Sequence, residues 1–235
     1  MISIINFSHS NPLADGFGHS IMRQNPFKNI SDVLDGTVDV AMVSLVSYLE
    51  NRDQLILLQT ANIHSRRETL STLLVSRKKW IEEPLNIAVT ANTKTTEFYL
   101  KKIMDSLKIR YNLVHSDKID IWDLLEISDY ALVNGDEAMK VYATDLNAIF
   151  DVGFEFSSLF GLYPVYAVSV SREDADTGDL DRAVKESIRF KVAEAEKLSN
   201  KLGIKINITK KYYDSIEYGF SPQVMKTIDF VSSFY

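Results

Sequence analysis

The chain contains no cysteine. Disulfide bonds, thiolate catalysis and zinc or iron–sulfur sites with cysteine ligands are therefore excluded. The four histidines are scattered without the spacing of metal ligands, and no metal site is predicted. Gly16 and Gly18 lack the third glycine of a dinucleotide-binding fingerprint. The sequence therefore predicts a protein that works without a metal or other cofactor.

Long apolar runs are missing as well. No segment approaches the roughly 18 apolar residues of a membrane-spanning helix. The first residues also lack the basic and apolar regions of a signal peptide. We expect a cytoplasmic protein that does not bind membranes. With 26 basic against 32 acidic residues the net charge is −6, and the short basic clusters are interpreted as solvated surface, so no nucleic-acid partner is expected.

What the chain does contain is an alternation of apolar, β-rich runs with helical segments. Hydrophobic residues make up 46% and charged residues 25%, a balance typical of a globular protein with a sizeable core. Strands are predicted over residues 2–7, 38–43, 72–76 and 165–171, and a new strand–helix pattern begins after Pro84. This alternation predicts an α/β fold.

The runs at residues 72–76 and 165–171 bracket the middle of the chain. This layout predicts two α/β lobes joined by two crossover strands, with a ligand in the cleft between them. The first lobe would comprise residues 1–80 and 170–235, including one long helix from about residue 177 to 201. The second lobe would comprise residues 81–169.

Four short polar motifs stand at the ends of apolar runs. They are Val43-Ser44-Leu45, Ser71 ahead of the run at 72–76, Thr93-Lys94-Thr95-Thr96 and Asn134-Gly135-Asp136-Glu137. In open α/β sheets, ligands bind beyond the carboxyl ends of strands, where polar loops and helix N-termini converge. Hydroxyls, amides and one or two carboxylates suit a small polar ligand.

At these motifs the chain resembles the chorismate dehydratase family, which belongs to the futalosine route to menaquinone. The similar segments follow the family's order over nearly the whole chain: residues 34–39, 71–76, 88–96, 131–139, 151–168 and 212–234. The resemblance implies a type II periplasmic-binding-protein fold in a cytoplasmic enzyme. It also implies a lyase that converts chorismate into 3-enolpyruvylbenzoate without a cofactor.

The resemblance implies roles for particular residues. His9 and Ser71 are the candidate catalytic residues, and the candidate substrate-binding residues are Ser44, Thr93, Thr95, Thr96, Asn134 and Asp136. Thr95 and Thr96 would hold a carboxylate at a helix start, Ser44 and Ser71 would orient the ring, and His9 would assist proton transfer. Helix capping is the structural alternative for Thr95, Thr96 and Asp136, and a surface or capping hydroxyl is the alternative for Ser71.

Two departures from the family fall at the site. His9 stands where the family has a functional asparagine, and residues around Arg67-Glu68 replace a Gly-Pro pair. These departures keep a second hypothesis open, in which the chain is a non-catalytic binding protein, or a related enzyme, for another small carboxylate.

Overall fold

The computed structural model describes residues 1–90 and 92–235. Its strands are β1 Ile2–Ile5, β2 Met22–Gln24, β3 Val40–Ser44, β4 Ile56–Ser65, β5 Thr72–Ser76, β6 Leu85–Thr90, β7 Tyr111–Ser116, β8 Tyr130–Asn134, β9 Asn147–Asp151, β10 Val165–Ser171 and β11 Ile216–Glu217. Its α-helices are α1 Asn11–Gly16, α2 Pro26–Asp35, α3 Leu45–Glu50, α4 Lys94–Leu107, α5 Ile121–Ile127, α6 Gly135–Met139, α7 Val152–Phe160, α8 Gly178–Ser187, α9 Lys191–Leu202, α10 Ile206–Ser215 and α11 Pro222–Ser232. None of the described helices is both long and apolar enough to cross a membrane.

Local sequence signals account for several helix ends. Ser221 caps α11 by accepting the Val224 N–H at 3.3 Å, and Pro222 occupies the first helical position, where its missing N–H costs nothing. This start of the C-terminal helix was predicted from the sequence and is confirmed. Gly36 ends α2 in the left-handed conformation, at a φ of 83°, which glycine adopts without strain.

The strands form two sheets. The first has the order β11-β4-β10-β3-β1-β2 and the second the order β7-β6-β8-β5-β9. β1 runs parallel to β2 and β3, and β6 runs parallel to β7 and β8. β10 lies antiparallel to both β3 and β4, β4 is also antiparallel to β11, and in the second sheet β5 lies antiparallel to both β8 and β9. The predicted two-lobe α/β fold is confirmed.

The lobe boundaries differ from the predicted ones. β5 pairs with β8, placing Thr72 opposite Asn134, and therefore belongs to the second sheet rather than to a first lobe of residues 1–80. β10 lies entirely in the first sheet, although the second lobe was predicted to extend to residue 169. Both strands are almost wholly buried apolar runs, and such a run does not reveal which sheet it joins.

The helix predicted from about residue 177 to 201 is in fact two helices. α8 ends at Ser187 and α9 begins at Lys191. The Ser187 hydroxyl donates to a carbonyl of its own helix at 2.7 Å. The N–H groups of Arg189 and Phe190 bond to carbonyls three residues back, at 3.0 and 3.1 Å. These tight-turn bonds replace the α-helical pattern and separate the two helices.

The C-terminal helix packs on both lobes, whereas the sequence placed it with the first lobe alone. The Phe230 ring on α11 lies 6.1 Å from Phe156 and 5.5 Å from Phe160, both on α7 of the second lobe. Phe234, just beyond α11, lies 5.5 Å from Phe98 on α4. α11 also contacts α3 and β10 of the first lobe. This aromatic packing ties the two lobes together.

Candidate functional site

A cavity lies between the two sheets. The space inside it that water-sized spheres can occupy is about 60 Å³, below the roughly 300–1,000 Å³ of pockets that hold drug-sized ligands. Side chains from both lobes line it: Ile5, Phe7, His9, Pro26, Ser44, Ile63, Thr69, Ser71, Thr72, Asn92, Thr95, Thr96, Asn134, Gly135, Tyr166, Ala167 and Ile216. None of these lining residues is a lysine, arginine, aspartate or glutamate, so hydroxyls, amides and one imidazole provide its polarity.

His9 lies in the connection between β1 and α1, on a short turn that two tyrosine side chains hold in place. The Tyr213 hydroxyl donates to the Ser8 carbonyl at 2.9 Å, and the Tyr218 hydroxyl donates to the His9 carbonyl at 2.8 Å. The imidazole meets the edge of the Phe7 ring, with centroids 5.4 Å apart. Because the anchoring bonds use backbone carbonyls, the His9 side chain is left for the cavity.

Burial lowers the pKa of His9 to about 4. The negative charge of Asp136 acts in the opposite direction, and the positive charge of Arg23 lowers the pKa further. The imidazole is therefore neutral near pH 7 and has one nitrogen that accepts and one that donates. His9 is equipped for proton transfer or hydrogen bonding rather than for ion pairing with a carboxylate.

Ser71 stands immediately before β5. Its carbonyl accepts the Gly135 N–H at 2.7 Å, which joins the start of β5 to the start of α6. Beside it lies Tyr212, a fully buried residue of α10, whose hydroxyl has no hydrogen-bond partner among the described residues. Ser71 itself is buried and lines the cavity.

Two hydroxyls meet at the N-terminus of α3. Ser44 caps this helix: its Oγ accepts the Ser47 N–H at 3.1 Å and donates to Ser47 Oγ at 2.8 Å. Thr95, from the second lobe, accepts the Val46 N–H at 3.2 Å across the cavity. Ser44 thus uses its hydroxyl hydrogen within its own helix, whereas the bond to Val46 leaves the Thr95 hydrogen free to face a ligand.

Thr95 is not the cap of α4, as one reading of the sequence suggested. α4 begins at Lys94, so Thr93 occupies the N-cap, and its hydroxyl donates to the Thr90 carbonyl at 2.6 Å instead of accepting from the helix. Thr96 lines the cavity together with Thr95. Thr93 lines an adjoining recess and not the cavity itself.

The Asn134-Gly135-Asp136 motif stands where β8 passes into α6. Asn134 lines the cavity, and its Oδ1 is buried without a partner among the described residues. Gly135 has a φ of 61°, a conformation that favours glycine. Asp136 lines the adjoining recess, and its Oδ2 accepts a bond from Lys201 Nζ at 2.6 Å. Asp136 is therefore placed at the lobe junction rather than at the cavity wall.

The connection between β4 and β5 was missed by the sequence interpretation. Asp151 accepts the N–H groups of Thr69 and Leu70 at 3.1 and 2.8 Å, and Leu70 adopts a φ of 59°. The Thr69 hydroxyl bonds to those of Thr72 and Tyr166 at 2.5 and 3.1 Å. Three of these residues, Thr69, Thr72 and Tyr166, line the cavity. No sequence spacing indicates this network, because its members come together only through the crossing of the chain.

The described residues hold no group of three or more histidine, aspartate or glutamate side chains arranged to bind a metal ion. Any chemistry at the cavity that uses this chain's own residues therefore depends on His9, the hydroxyls and the amides.

Two α/β lobes around an enclosed cavity define a type II periplasmic-binding-protein-like protein. Protein AF1704 from Archaeoglobus fulgidus has the same fold, with a TM-score of 0.74 and 14% identity over 99% of this chain and 96% of that one. The aliphatic sulphonate binding protein SsuA from Escherichia coli superposes with a TM-score of 0.69 and 8% identity over 99% and 85% of the two chains. The alkanesulfonate-binding protein SsuA from Xanthomonas axonopodis, bound to MOPS, superposes with a TM-score of 0.71 and 12% identity over 99% of this chain and 90% of that one.

The chain belongs to the menaquinone biosynthesis family, whose model matches residues 2–233. This membership confirms the family that the polar motifs indicated. No curated protein matches the sequence.

Proposed function

We propose that this protein is a lyase that dehydrates chorismate to 3-enolpyruvylbenzoate, in the cytoplasm and as a step of menaquinone biosynthesis. The observation that carries the proposal is the interlobe cavity, where His9 meets Ser71, Thr95, Thr96 and Asn134 from the other lobe. Family membership supplies the pathway.

The reaction is an elimination that makes the ring aromatic. It removes the hydrogen from the ring carbon that bears the enolpyruvyl ether and the hydroxyl from the neighbouring carbon. The electrons of the broken C–H bond form a ring double bond, the C–O bond breaks, and water leaves. A base for the hydrogen and an acid for the departing hydroxyl are required.

His9 meets both requirements. As a neutral imidazole it accepts the ring hydrogen as a proton, and the imidazolium that results donates a proton to the leaving hydroxyl. The hydrogen and the hydroxyl lie on one face of the ring, because the two ring oxygens of chorismate are trans, so one imidazole reaches both. A pKa of about 4 makes the imidazolium a strong acid for the second step and the neutral imidazole a weak base for the first.

The ligand's carboxylates would be held without lysine or arginine at the cavity wall. Thr95 and Thr96 lie in the first turn of α4, a helix of 14 residues whose first N–H groups lack helical partners and favour an anion. Their hydroxyls would bind one carboxylate. Ser71 would orient the ring. Ser44, whose hydroxyl caps α3, and Thr93 and Asp136, in the adjoining recess, would act indirectly.

A non-catalytic binding protein, or a related enzyme, for another small carboxylate is the second candidate. His9 in place of the family's asparagine favours it, as does the fold shared with SsuA, a sulphonate binding protein. Both candidates use the same cavity. They differ in whether the ligand leaves the cavity unchanged.

Incubation of the purified protein with chorismate, followed by mass spectrometry, separates the two. The lyase should release a product lighter by one water, with a chelator present, and the His9→Ala variant should release almost none. Chorismate that binds in calorimetry and is recovered intact would support the second candidate. A protein that neither binds nor converts chorismate would contradict the proposed substrate.

A further inference from the structure

Asp136 belongs to the second lobe but reaches the first. It is the second residue of α6, and α6 packs against the turn that carries His9. Its Oδ2 accepts a 2.6 Å bond from Lys201 on α9 of the first lobe. Its Oδ1 is buried and has no partner among the described residues. One carboxylate oxygen is thus used at the lobe junction, and the other is not.

The residue before Asp136 lies close to the segment that carries His9. At Gly135, the preceding residue, a Cβ would lie 3.9 Å from the Phe7 ring, and the edge of that ring meets the imidazole of His9. A buried carboxylate oxygen without a donor is costly, and such atoms in proteins are rare. A neutral imidazole offers an N–H of the required kind.

We infer that Asp136 is the positioning residue of His9: on closure of the lobes around a ligand, its free oxygen accepts one imidazole N–H and leaves the other nitrogen directed into the cavity. The inference rests on the proposed function in one respect, since it takes His9 as the proton-transfer group. Because His9 stands where the family has asparagine, this pairing is particular to this chain.

The charged groups around His9 shift its pKa in opposite directions. Asp136 raises the pKa of His9, and Arg23 on β2 lowers it. Tyr213 and Tyr218 face the turn only through hydroxyls that donate to backbone carbonyls. Arg23 and both tyrosines belong to the first lobe, as His9 does. Of these groups, only Asp136 would move away from His9 if the lobes separated. Closure therefore adds the negative charge of Asp136, which raises the pKa of His9 against the larger lowering by burial, and fixes which nitrogen carries the hydrogen.

The Asp136→Asn variant tests this directly, because it removes the charge and keeps the size. The pKa of His9, measured by NMR of the imidazole carbons, should fall below that of the parent protein. The acidic limb of the rate profile should move to lower pH. We expect kcat to fall by about tenfold or more with little change in KM, the pattern of an interaction that acts on the chemical step.

Lys201→Gln is the matched control. It breaks the same interlobe ion pair but leaves the carboxylate of Asp136 in place. The pKa of His9 should stay the same or rise, since the negative charge is no longer neutralised, and kcat should stay close to that of the parent. Asp136→Glu, which keeps a carboxylate, should restore part of the activity lost in Asp136→Asn.

Two results would overturn the inference. One is an Asp136→Asn variant with a lower melting temperature but an unchanged His9 pKa and rate profile, which would make Asp136 merely structural. The other is a Lys201→Gln variant that reproduces the loss, which would assign the effect to the ion pair. The NMR measurement needs no turnover, so a shifted His9 pKa without any product would contradict the proposed function alone.

Discussion

The two walls of the cavity are built differently. On the first-lobe wall the polar groups are already engaged: Ser44 caps its own helix, and two tyrosine hydroxyls hold the backbone of the His9 turn. On the second-lobe wall Thr95 and Asn134 keep capacity for further bonds. The first lobe thus presents one fixed imidazole, and the second lobe presents the groups that meet a ligand.

The second lobe also makes the bonds that close the cavity. Thr95 reaches the Val46 N–H on α3, and Lys94 pairs with Glu50 at 2.7 Å at the same helix. Charged pairs at an exposed junction contribute little to stability and weaken with salt. The difference between the walls teaches that the proposed ligand contacts and the contacts between the lobes come from the same elements, α4 and α6, while the proposed proton-transfer group stands on the other wall.

Removal of the imidazole should have the largest effect. His9→Ala should lower single-turnover conversion of chorismate by about 10²- to 10⁴-fold, the usual contribution of a general acid–base group. The melting temperature should barely change, because the turn is held through backbone carbonyls. A variant that keeps its activity would show that the first-lobe wall does not carry the chemistry.

The second effect is expected on stability, at the connection between the lobes. Asp151→Ala removes the acceptor of the Thr69, Leu70 and Phe154 N–H groups. Buried donors left unpaired cost roughly 1–3 kcal/mol, and Leu70 loses the carboxylate that holds its left-handed backbone. Urea unfolding should show this loss. Asp123→Ala, at a half-exposed acid of α5, is the control and should leave the free energy of unfolding nearly unchanged.

Thr95→Ala and Ser44→Ala sharpen the comparison of the walls. Thr95→Ala should weaken ligand binding by about tenfold, since a hydrogen bond to a charged group is worth about 1.5–3 kcal/mol. Ser44→Ala should instead cost about 0.5–2 kcal/mol of stability through loss of the α3 cap, with little change in affinity. Calorimetry and thermal melts distinguish the two. Equal losses of affinity would place Ser44 among the ligand-binding groups.

The buried imidazole also predicts a pH dependence of stability. The pKa of His9 is lowered from 6.5 to about 4 in the folded protein, so the unfolded chain binds more protons between these values. Stability that is present above pH 6.5 should therefore decline as the pH falls toward 4. His9→Gln should show a shallower decline in melting temperature over this interval. Identical curves would mean that the imidazole is not buried in solution.

Much of the fold followed from sequence patterns, and the errors have physical causes. The strand–helix alternation and the motifs at strand ends predicted the two lobes. Asn134 and Ser71 were both given as candidate site residues, and the structure places both at the cavity. The α4 cap was placed two residues late, because Thr93 and Thr95 have equal capping propensity and only the backbone geometry separates them.

Other features depend on contacts between distant parts of the chain. The network of Thr69, Leu70 and Asp151 joins residues about eighty positions apart, and no local pattern marks it. The packing of α11 on both lobes is likewise a property of the assembled fold. The polar motifs therefore marked strand ends that line the cavity, but not which hydroxyls the fold uses for its own hydrogen bonds.

A crystal structure of the His9→Ala variant soaked with chorismate tests the central claim most directly. The account predicts intact chorismate between the lobes, with a carboxylate on the Thr95 and Thr96 hydroxyls and the ring facing the space left by the imidazole. Chorismate bound elsewhere on the protein, or an interlobe cavity that stays empty at saturating chorismate, would contradict it.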